Sequence, residues 1–205
     1  MKKLLICLSF ICVQLLNSQS KETKEFSILF VGNSLTYYND LPGLVKEYAK
    51  TNKEININTQ MIAFPNYAIE DHWNEGKIQK LLSSKSFDFI VIQQGPSSQE
   101  EGRKMLIDYG EKIKKIAESS NSKLCYFMVW PALNYYNTFN KVIQNHKEAA
   151  NHNEAVLIPV GEYWKNYIEE NNDYSFYGTD RFHPSQKGSK IAAKIIVDTL
   201  FNKQN

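Results

Sequence analysis

Residues 27–36 of this chain are SILFVGNSLT, an apolar run that ends at a glycine and is followed closely by a serine. The run from Ser27 to Val31 shows no polar–apolar alternation, which is typical of a strand buried on both faces of a parallel sheet. Gly32 ends the strand and Ser34 stands just beyond it. In open parallel sheets, ligands bind beyond the carboxyl ends of the strands. This stretch therefore predicts both an α/β fold and the edge of the sheet at which chemistry takes place.

Further strands and helices are predicted along the rest of the chain. The other candidate strands are Ile55, Ile57 and Met61 at roughly two-residue spacing, and the apolar runs 87–92 (FDFIVI), 124–130 (LCYFMVW) and 155–159 (AVLIP). Apolar residues at helical spacing predict helices near 41–48, 73–82, 105–116 and 138–150, and a last helix from near Pro184 to Phe201. Strands alternating with helices imply a parallel sheet with helices on both faces. The predicted fold is a three-layer α/β/α sandwich with a five-stranded parallel sheet.

The first twenty residues have the layout of a secretory signal peptide. Lys2 and Lys3 precede a nearly continuous apolar run over 4–16, and small residues at 18–20 flank a possible cleavage point. The run is too short to span a bilayer, although a retained anchor helix and a lipoprotein cut at Cys12 are alternatives. The sequence thus predicts a signal peptide over 1–20, one domain over 21–205, and export to the periplasm or the extracellular space.

The charge and cysteine content of the exported chain exclude several classes of protein. Of 24 basic residues the signal peptide removes two, which leaves 22 basic against 22 acidic residues and no support for a nucleic-acid partner. Cys125 is the only cysteine beyond residue 20, so no internal disulfide is possible, and we expect it to be a buried thiol. No Cys/His cluster has the spacing of a zinc site, and we expect neither a metal nor a cofactor.

Three polar segments contain candidate catalytic residues: one follows the first predicted strand, one follows the third, and one precedes the last predicted helix. Ser34 is suited to act as a nucleophile, although a serine there is also a common helix cap. Residues 93–98 (QQGPSS) could donate hydrogen bonds to an oxyanion, or they could form an ordinary turn that caps the following helix. Asp180 and His183 are close enough along the chain for the carboxylate to hold one tautomer of the imidazole.

Taken together, GNSLT after the first strand, the polar turn after the third and DRFHPS before the last helix resemble the SGNH (GDSL-type) hydrolase family, in its GNSLT-bearing branch. The resemblance extends from about residue 26 to 201. It implies a flavodoxin-like sandwich, in agreement with the periodicity, and it implies that Ser34 is the nucleophile, His183 the general base and Asp180 its orienter.

The chain departs from the family pattern at the residues that would bind the oxyanion. Asn33 replaces the usual aspartate before the nucleophile, and Asn66 stands where the second block has a glycine. Asparagine tolerates left-handed backbone geometry, so its N–H can still serve. Ser97 stands at the position of the third block's asparagine, and Gln94 is a competing donor.

The resemblance implies a secreted serine esterase that hydrolyses ester groups, expected to be O-acetyl groups on carbohydrate, through an acyl-enzyme on Ser34. The alternatives are a catalytically weak sugar-binding relative and a lipase or lysophospholipase. The expected partner is a small-molecule or glycan ester, with no integral membrane segment in the mature chain. Tyr37, Tyr38, Tyr135 and Tyr136 follow strands on the ligand side and could stack on sugars or simply pack.

Other conspicuous side chains are expected to be structural. Asp71, His72 and Trp73 could form a cluster beside the site, because they follow the second block, but we predict that Trp73 belongs to the core and that His72 lies on a helix surface. His146 and His152 are expected to be solvated.

Overall fold

A computed structural model describes residues 25–202 of the chain, so the predicted signal peptide lies outside the described residues. One sheet of five parallel strands has the order β2-β1-β3-β4-β5. The strands are β1 (Glu25–Gly32), β2 (Asn56–Ala63), β3 (Phe89–Ile92), β4 (Lys123–Phe127) and β5 (Val156–Ile158). Within this range, no helix combines the length and the apolar character that crossing a membrane requires.

Helices cover both faces of the sheet. They are α1 (Ser34–Tyr37), α2 (Leu41–Lys53), α3 (Ile69–Asn74), α4 (Lys77–Leu82), α5 (Glu100–Ser119), α6 (Phe139–His152), α7 (Val160–Asn171) and α8 (Gln186–Phe201). Short 3₁₀ helices span Tyr38–Asp40 and Leu133–Thr138. The predicted three-layer α/β/α sandwich with a five-stranded parallel sheet is confirmed.

The apolar run of β1 is unbroken because its side chains pack into hydrophobic cores on both faces of the sheet. Ile28 and Phe30 point to the layer formed by α2, α7 and α8. Leu29 and Val31 point to the layer formed by α3, α4 and α5. All four side chains are fully buried, because successive residues of a strand face opposite sides of the sheet. Cys125 of β4 is likewise a buried free thiol, as predicted, and burial raises its pKa.

Several predicted boundaries were wrong. The last helix begins at Gln186, not near Pro184, because the Ser185 hydroxyl accepts the Gly188 N–H at 3.1 Å and caps it. The segment predicted as one helix over 73–82 forms two helices, α3 and α4, separated at Gly76, whose φ of 73° interrupts helical geometry. The fourth strand ends at Phe127 rather than Trp130.

Helix α7 was not predicted at all. Val160, Trp164 and Ile168 occur at four-residue spacing and form its buried face. This spacing is typical of a helix. However, the segment directly follows the short β5, and its N-cap residue, Pro159, has no polar side-chain atom that could cap the helix. The helix proves essential to the site, because Trp164 supports the loop that carries His183, as described below.

The predictions for His72 and His146 were also wrong, since both side chains are buried. One nitrogen of His72 lies 2.7 Å from the Gly32 carbonyl, and one of His146 lies 2.8 Å from the Val142 carbonyl. Burial lowers the pKa of both rings from 6.5, that of His146 to about 4. Each is therefore a neutral ring donating to a backbone carbonyl. His152 is exposed, as expected.

Burial of His146 predicts a specific pH dependence of stability. The unfolded chain binds a proton at this ring near pH 6.5, whereas the folded chain does not until about pH 4. Consequently the free energy of unfolding falls as the pH is lowered between these values. In His146→Gln this fall should be smaller by about 2–3 kcal/mol between pH 7 and pH 4.5, as measured by urea unfolding. The exposed His152→Gln serves as control, and an unchanged slope in His146→Gln would contradict the assignment.

Candidate active site

The carboxyl ends of β1 and β3 are neighbours at the point where the strand order reverses direction. From β1 the chain crosses to β2 on one side and then returns to β3 on the other. Ligands of open α/β sheets bind at such a switch point. Ser34 follows β1 here, and residues 93–98 follow β3, so both predicted segments reach the same edge of the sheet.

The turn that carries Ser34 is packed tightly against Gln93. At Gly32, a Cβ atom would lie 2.3 Å from Thr36 Oγ1 and 2.4 Å from Gln93 Oε1, so a side chain does not fit. The buried Gln93 Oε1 accepts hydrogen bonds from the Asn33 N–H at 3.0 Å and from the Thr36 hydroxyl at 2.7 Å. This amide therefore fixes the backbone immediately before Ser34.

Asn33, rather than Ser34, caps the short helix α1. Its Oδ1 accepts the Leu35 N–H at 3.1 Å, and its Nδ2 donates to the Tyr67 carbonyl at 3.0 Å. The capping role considered for Ser34 thus belongs to its neighbour, which leaves the Ser34 hydroxyl for another partner. That partner is His183, whose Nε2 lies 2.9 Å from Ser34 Oγ.

Asp180 holds both the ring and the backbone of His183. Its Oδ2 lies 2.5 Å from His183 Nδ1, and its Oδ1 accepts the N–H groups of Phe182 at 3.0 Å and His183 at 2.9 Å. Partial burial opposes ionisation of this carboxyl, but these hydrogen bonds outweigh it and lower the pKa of Asp180. A carboxylate can only accept, so Nδ1 carries the proton and Nε2 is free to accept from Ser34.

Residues outside the predicted motifs hold this loop in place. Trp130 Nε1 donates to the Phe182 carbonyl at 2.9 Å, and its ring stacks on Trp164 of α7 with centroids 3.6 Å apart. From the other side, Asn39 Nδ2 donates to the Pro184 carbonyl at 3.0 Å. Asn39, which follows Ser34, and helix α7, which acts through Trp130, therefore both hold the His183 loop in place.

The four tyrosines predicted near the ligand side have different surroundings. The Tyr38 ring stacks on the imidazole of His183, with centroids 4.6 Å apart and planes at 16°. Tyr37 and Tyr136 are partly buried, and Tyr136 packs edge-on against a neighbouring ring. Tyr135 is 63% exposed. Tyr38 thus restrains the histidine, whereas Tyr135 presents a free aromatic face.

The turn at Asn66 is held against the end of β1. Asn66 has a φ of 63°, the left-handed geometry that its glycine-like position requires. The Phe64 N–H donates to the Gly32 carbonyl at 3.2 Å, and the Tyr67 carbonyl accepts from Asn33. Among the described residues, neither the Ser34 N–H nor the Asn66 N–H has a protein acceptor. These two N–H groups are available to a ligand.

The side chains of Gln94 and Ser97 are buried and bonded to each other. Gln94 Nε2 donates to Ser97 Oγ at 2.7 Å and to the Gly102 carbonyl at 3.0 Å, while its Oε1 accepts the Ile69 N–H at 3.3 Å. The Ser97 hydroxyl in turn donates to the Gly95 carbonyl at 3.0 Å. All the hydrogens of both side chains are therefore engaged within the protein.

A cavity of about 330 Å³ brings these groups together. Its lining includes Ser34, Asn66, Gln94, Ser97 and Phe182. The nucleophile candidate, a free backbone N–H and the bonded amide–hydroxyl pair thus face one space beside His183, which is the arrangement that acyl transfer requires.

The sequence profile of the GDSL-like lipase/acylhydrolases matches residues 32–196, most of the chain. The chain belongs to this family. As a GDSL-like acylhydrolase, the protein is a hydrolase acting on ester bonds. No protein of curated function matches it in sequence.

Solved structures share the acylhydrolase fold at low sequence identity. A protein from Slackia heliotrinireducens assigned to the SGNH hydrolases has 19% identity and a TM-score of 0.72, over 86% of this chain and 100% of that one. The lipase/acylhydrolase from Enterococcus faecalis has 17% identity and a TM-score of 0.70, over 85% and 95%. An acetylxylan esterase from Geobacillus stearothermophilus has 13% identity and a TM-score of 0.66, over 88% and 96%.

Sequence reasoning missed three supporting residues of this acylhydrolase: Gln93, His72 and Trp130. Gln93 lies beside the predicted oxyanion residues and is as buried as Gln94; only its hydrogen bonds to Asn33 and Thr36 distinguish its role. His72 and Trp130 act through backbone carbonyls that are distant along the chain. No pattern among neighbouring residues in the sequence predicts contacts between residues so far apart. The partners become apparent only once the sheet edge is assembled.

Proposed function

We propose that the protein is an exported serine esterase that removes O-acetyl groups from carbohydrates through an acyl-enzyme on Ser34. One observation carries the proposal: a continuous chain of hydrogen bonds runs from Ser34 Oγ through the His183 ring to the Asp180 carboxylate. A neutral serine is a weak nucleophile unless a base contacts its hydroxyl, and this chain supplies one in the correct tautomer.

In the first half of the reaction, Ser34 Oγ attacks the ester carbonyl while its proton passes to His183 Nε2. The imidazolium that forms is stabilised by Asp180, which accepts from Nδ1 throughout. The tetrahedral intermediate then collapses, the bond to the alcohol oxygen breaks, and His183 returns the proton to that oxygen. The alcohol leaves, and the acyl group remains on Ser34.

In the second half, a water molecule takes the place of the alcohol. His183 Nε2 accepts its proton as the water oxygen attacks the acyl carbon, and the second intermediate collapses to the free acid. The proton returns from His183 to Ser34 Oγ, which restores the starting state. Every proton transfer uses the same nitrogen, which lies within hydrogen-bond distance of the serine.

The oxyanion is proposed to bind to the N–H groups of Ser34 and Asn66. Both are free of protein acceptors among the described residues, and a preorganised donor of this kind contributes about 3–4 kcal/mol in comparable sites. The hydrogens of Gln94 and Ser97 are already engaged, so we assign these side chains to support of the cavity wall.

A short acyl group is favoured by the polar end of this cavity. Gln94, Ser97 and the carbonyl of Gly102 form a buried hydrogen-bonded cluster there, and burying a long alkyl chain against such groups gains little free energy. An acetyl group needs no deeper apolar pocket. The similarity in fold to an acetylxylan esterase supports the carbohydrate part of the proposal.

We predict that Ser34→Ala and His183→Ala each lower kcat for p-nitrophenyl acetate by about 10⁴-fold or more, and that the double variant loses little beyond either single one. Nucleophile and base act as one unit, so the second change removes nothing further. Asp180→Ala should lose less, because the ring remains but is poorly oriented. Wild-type activity should also decline at acid pH, since a protonated ring cannot accept the serine proton.

Unchanged thermal unfolding of the three variants is the required control for this triad. Additive losses, or a fully active His183→Ala enzyme, would refute it, whereas equal rates for the wild type and Ser34→Ala would favour a sugar-binding relative. Assaying p-nitrophenyl octanoate alongside addresses the lipase alternative: we expect the wild type to prefer the acetate, and a preference for the octanoate would contradict the short acyl pocket.

A second prediction concerns Asn66. Asn66→Gly keeps both the N–H and the left-handed backbone, so kcat should remain within about threefold of wild type. Asn66→Val disfavours that geometry, and kcat should fall by about 10²-fold with KM little changed. Steady-state kinetics of Gln94→Ala and Ser97→Ala provide the comparison, and both should lose less than Asn66→Val. A large loss of kcat in only one of them would identify that side chain as an oxyanion donor.

The export prediction is tested on the natural protein. Material recovered from the periplasm or the medium should begin near Lys21, as measured by mass spectrometry of its N-terminal peptide. Recovery of the intact segment over 1–20 on that material would show the signal-peptide interpretation to be wrong.

A further inference from the structure

A second cavity adjoins the one that contains Ser34. Its volume is about 460 Å³, and Pro96 and Phe182 line both cavities, so they form a shared wall. Beyond this wall the lining is mainly apolar and includes Pro131, Ala132 and Tyr135. We call it the outer cavity. It lies next to the reacting atoms, yet none of the proposed catalytic groups lines it.

The direction of proton transfer indicates which part of the substrate the outer cavity faces. The departing alcohol oxygen must receive its proton from His183 Nε2, so the alcohol lies on the histidine side of Ser34. The ring of Phe182 contacts the His183 imidazole edge-on, with centroids 5.1 Å apart. The outer cavity begins at Phe182 and is not lined by Asn66, the proposed oxyanion donor, so we assign it to the alcohol side. The acyl side is the first cavity, with Asn66.

Tyr135 presents an exposed aromatic surface to the outer cavity. At 63% exposure it is the most exposed large hydrophobic residue of the described chain. The hydroxyl of Thr138 donates to its carbonyl at 2.7 Å, and the Leu133 N–H donates to the carbonyl of Arg181 at 3.0 Å. These bonds tie the segment that carries Tyr135 to the His183 loop. Because this backbone is restrained, the Tyr135 ring can bind a flat apolar surface with less loss of conformational entropy than a ring on a mobile segment.

The rim of the outer cavity carries polar side chains that are available for hydrogen bonds to a ligand. Ser98 and Gln99 line it, and in the described structure neither side chain makes a hydrogen bond. A sugar ring has the matching surface, because it combines one apolar C–H face with hydroxyls around its edge. We propose that the outer cavity binds the pyranose ring that carries the ester, with Tyr135 stacked on its apolar face. This inference rests on the proposed function of Ser34.

The test compares three acetyl esters that differ only in their alcohol: acetylated xylobiose, phenyl acetate and vinyl acetate. The quantity measured is the ratio of kcat/KM for acetylated xylobiose to that for vinyl acetate, which has no ring. Tyr135→Ala should lower this ratio about three- to tenfold, chiefly through KM, and Tyr135→Phe should keep it within twofold. Tyr163→Ala, at a 44% exposed tyrosine of α7 outside both cavities, is the matched control.

Two outcomes would overturn the proposal. In the first, Tyr135→Ala leaves the xylobiose ratio unchanged. In the second, the ratio of phenyl acetate to vinyl acetate falls as far as the xylobiose ratio, which would make the outer cavity a general apolar site. Failure of the proposed function would look different, because Ser34→Ala would then still hydrolyse vinyl acetate. Equal unfolding midpoints of the wild type and Tyr135→Ala confirm that the comparison reports binding.

Discussion

The carbonyl oxygen of Gly32 is the point on which the geometry of the site depends. It accepts the Phe64 N–H at 3.2 Å and the His72 Nε2–H at 2.7 Å, at the last residue of β1. These two bonds hold the segment bearing Asn66 beside the turn bearing Ser34. Because His72 is buried, its pKa is lowered and the ring is neutral, so it keeps one N–H donor and adds no charge near Ser34. Together with the Asn33–Tyr67 bond, these two bonds keep the two proposed oxyanion donors side by side.

Two of the departures from the family pattern, at Asn33 and Asn66, are physically linked. Asn33 Nδ2 donates to the Tyr67 carbonyl, directly after Asn66, while Oδ1 caps Leu35. An ionised aspartate could accept from Leu35 but could not donate to a carbonyl, and its charge would repel that oxygen. The asparagine therefore supplies a bond that holds a turn whose left-handed residue is not glycine. Left-handed geometry costs L-residues in general about 1–2 kcal/mol, and less for asparagine, so the bond from Asn33 helps to hold Asn66 in it.

How much the sequence could predict depends on whether a feature is local. Four of the five strands were predictable because each contains an apolar run, and β2 because its apolar residues occur at roughly two-residue spacing. Ser34, Asp180 and His183 occur in short motifs beside such elements. The burial of His72 and His146 could not be predicted, since their partners or surroundings come from packing rather than from neighbouring residues. The sequence offered both Gln94 and Ser97 as side-chain donors to the oxyanion and could not show which of them is free to donate. Only the positions of Ile69 and Gly102 decide where its amide points.

Phe182 connects the orientation of the proposed base to the shape of the substrate site. Its N–H donates to Asp180 and its carbonyl accepts from Trp130, so the backbone beside His183 is fixed at both ends of one residue. Its side chain lines both cavities and contacts the imidazole. The same residue therefore shapes both cavities and holds the backbone that orients His183 Nε2. Under the proposed function, a bulky alcohol bound against Phe182 would contact the loop that carries the base, so binding energy of the alcohol could be used in the chemical step.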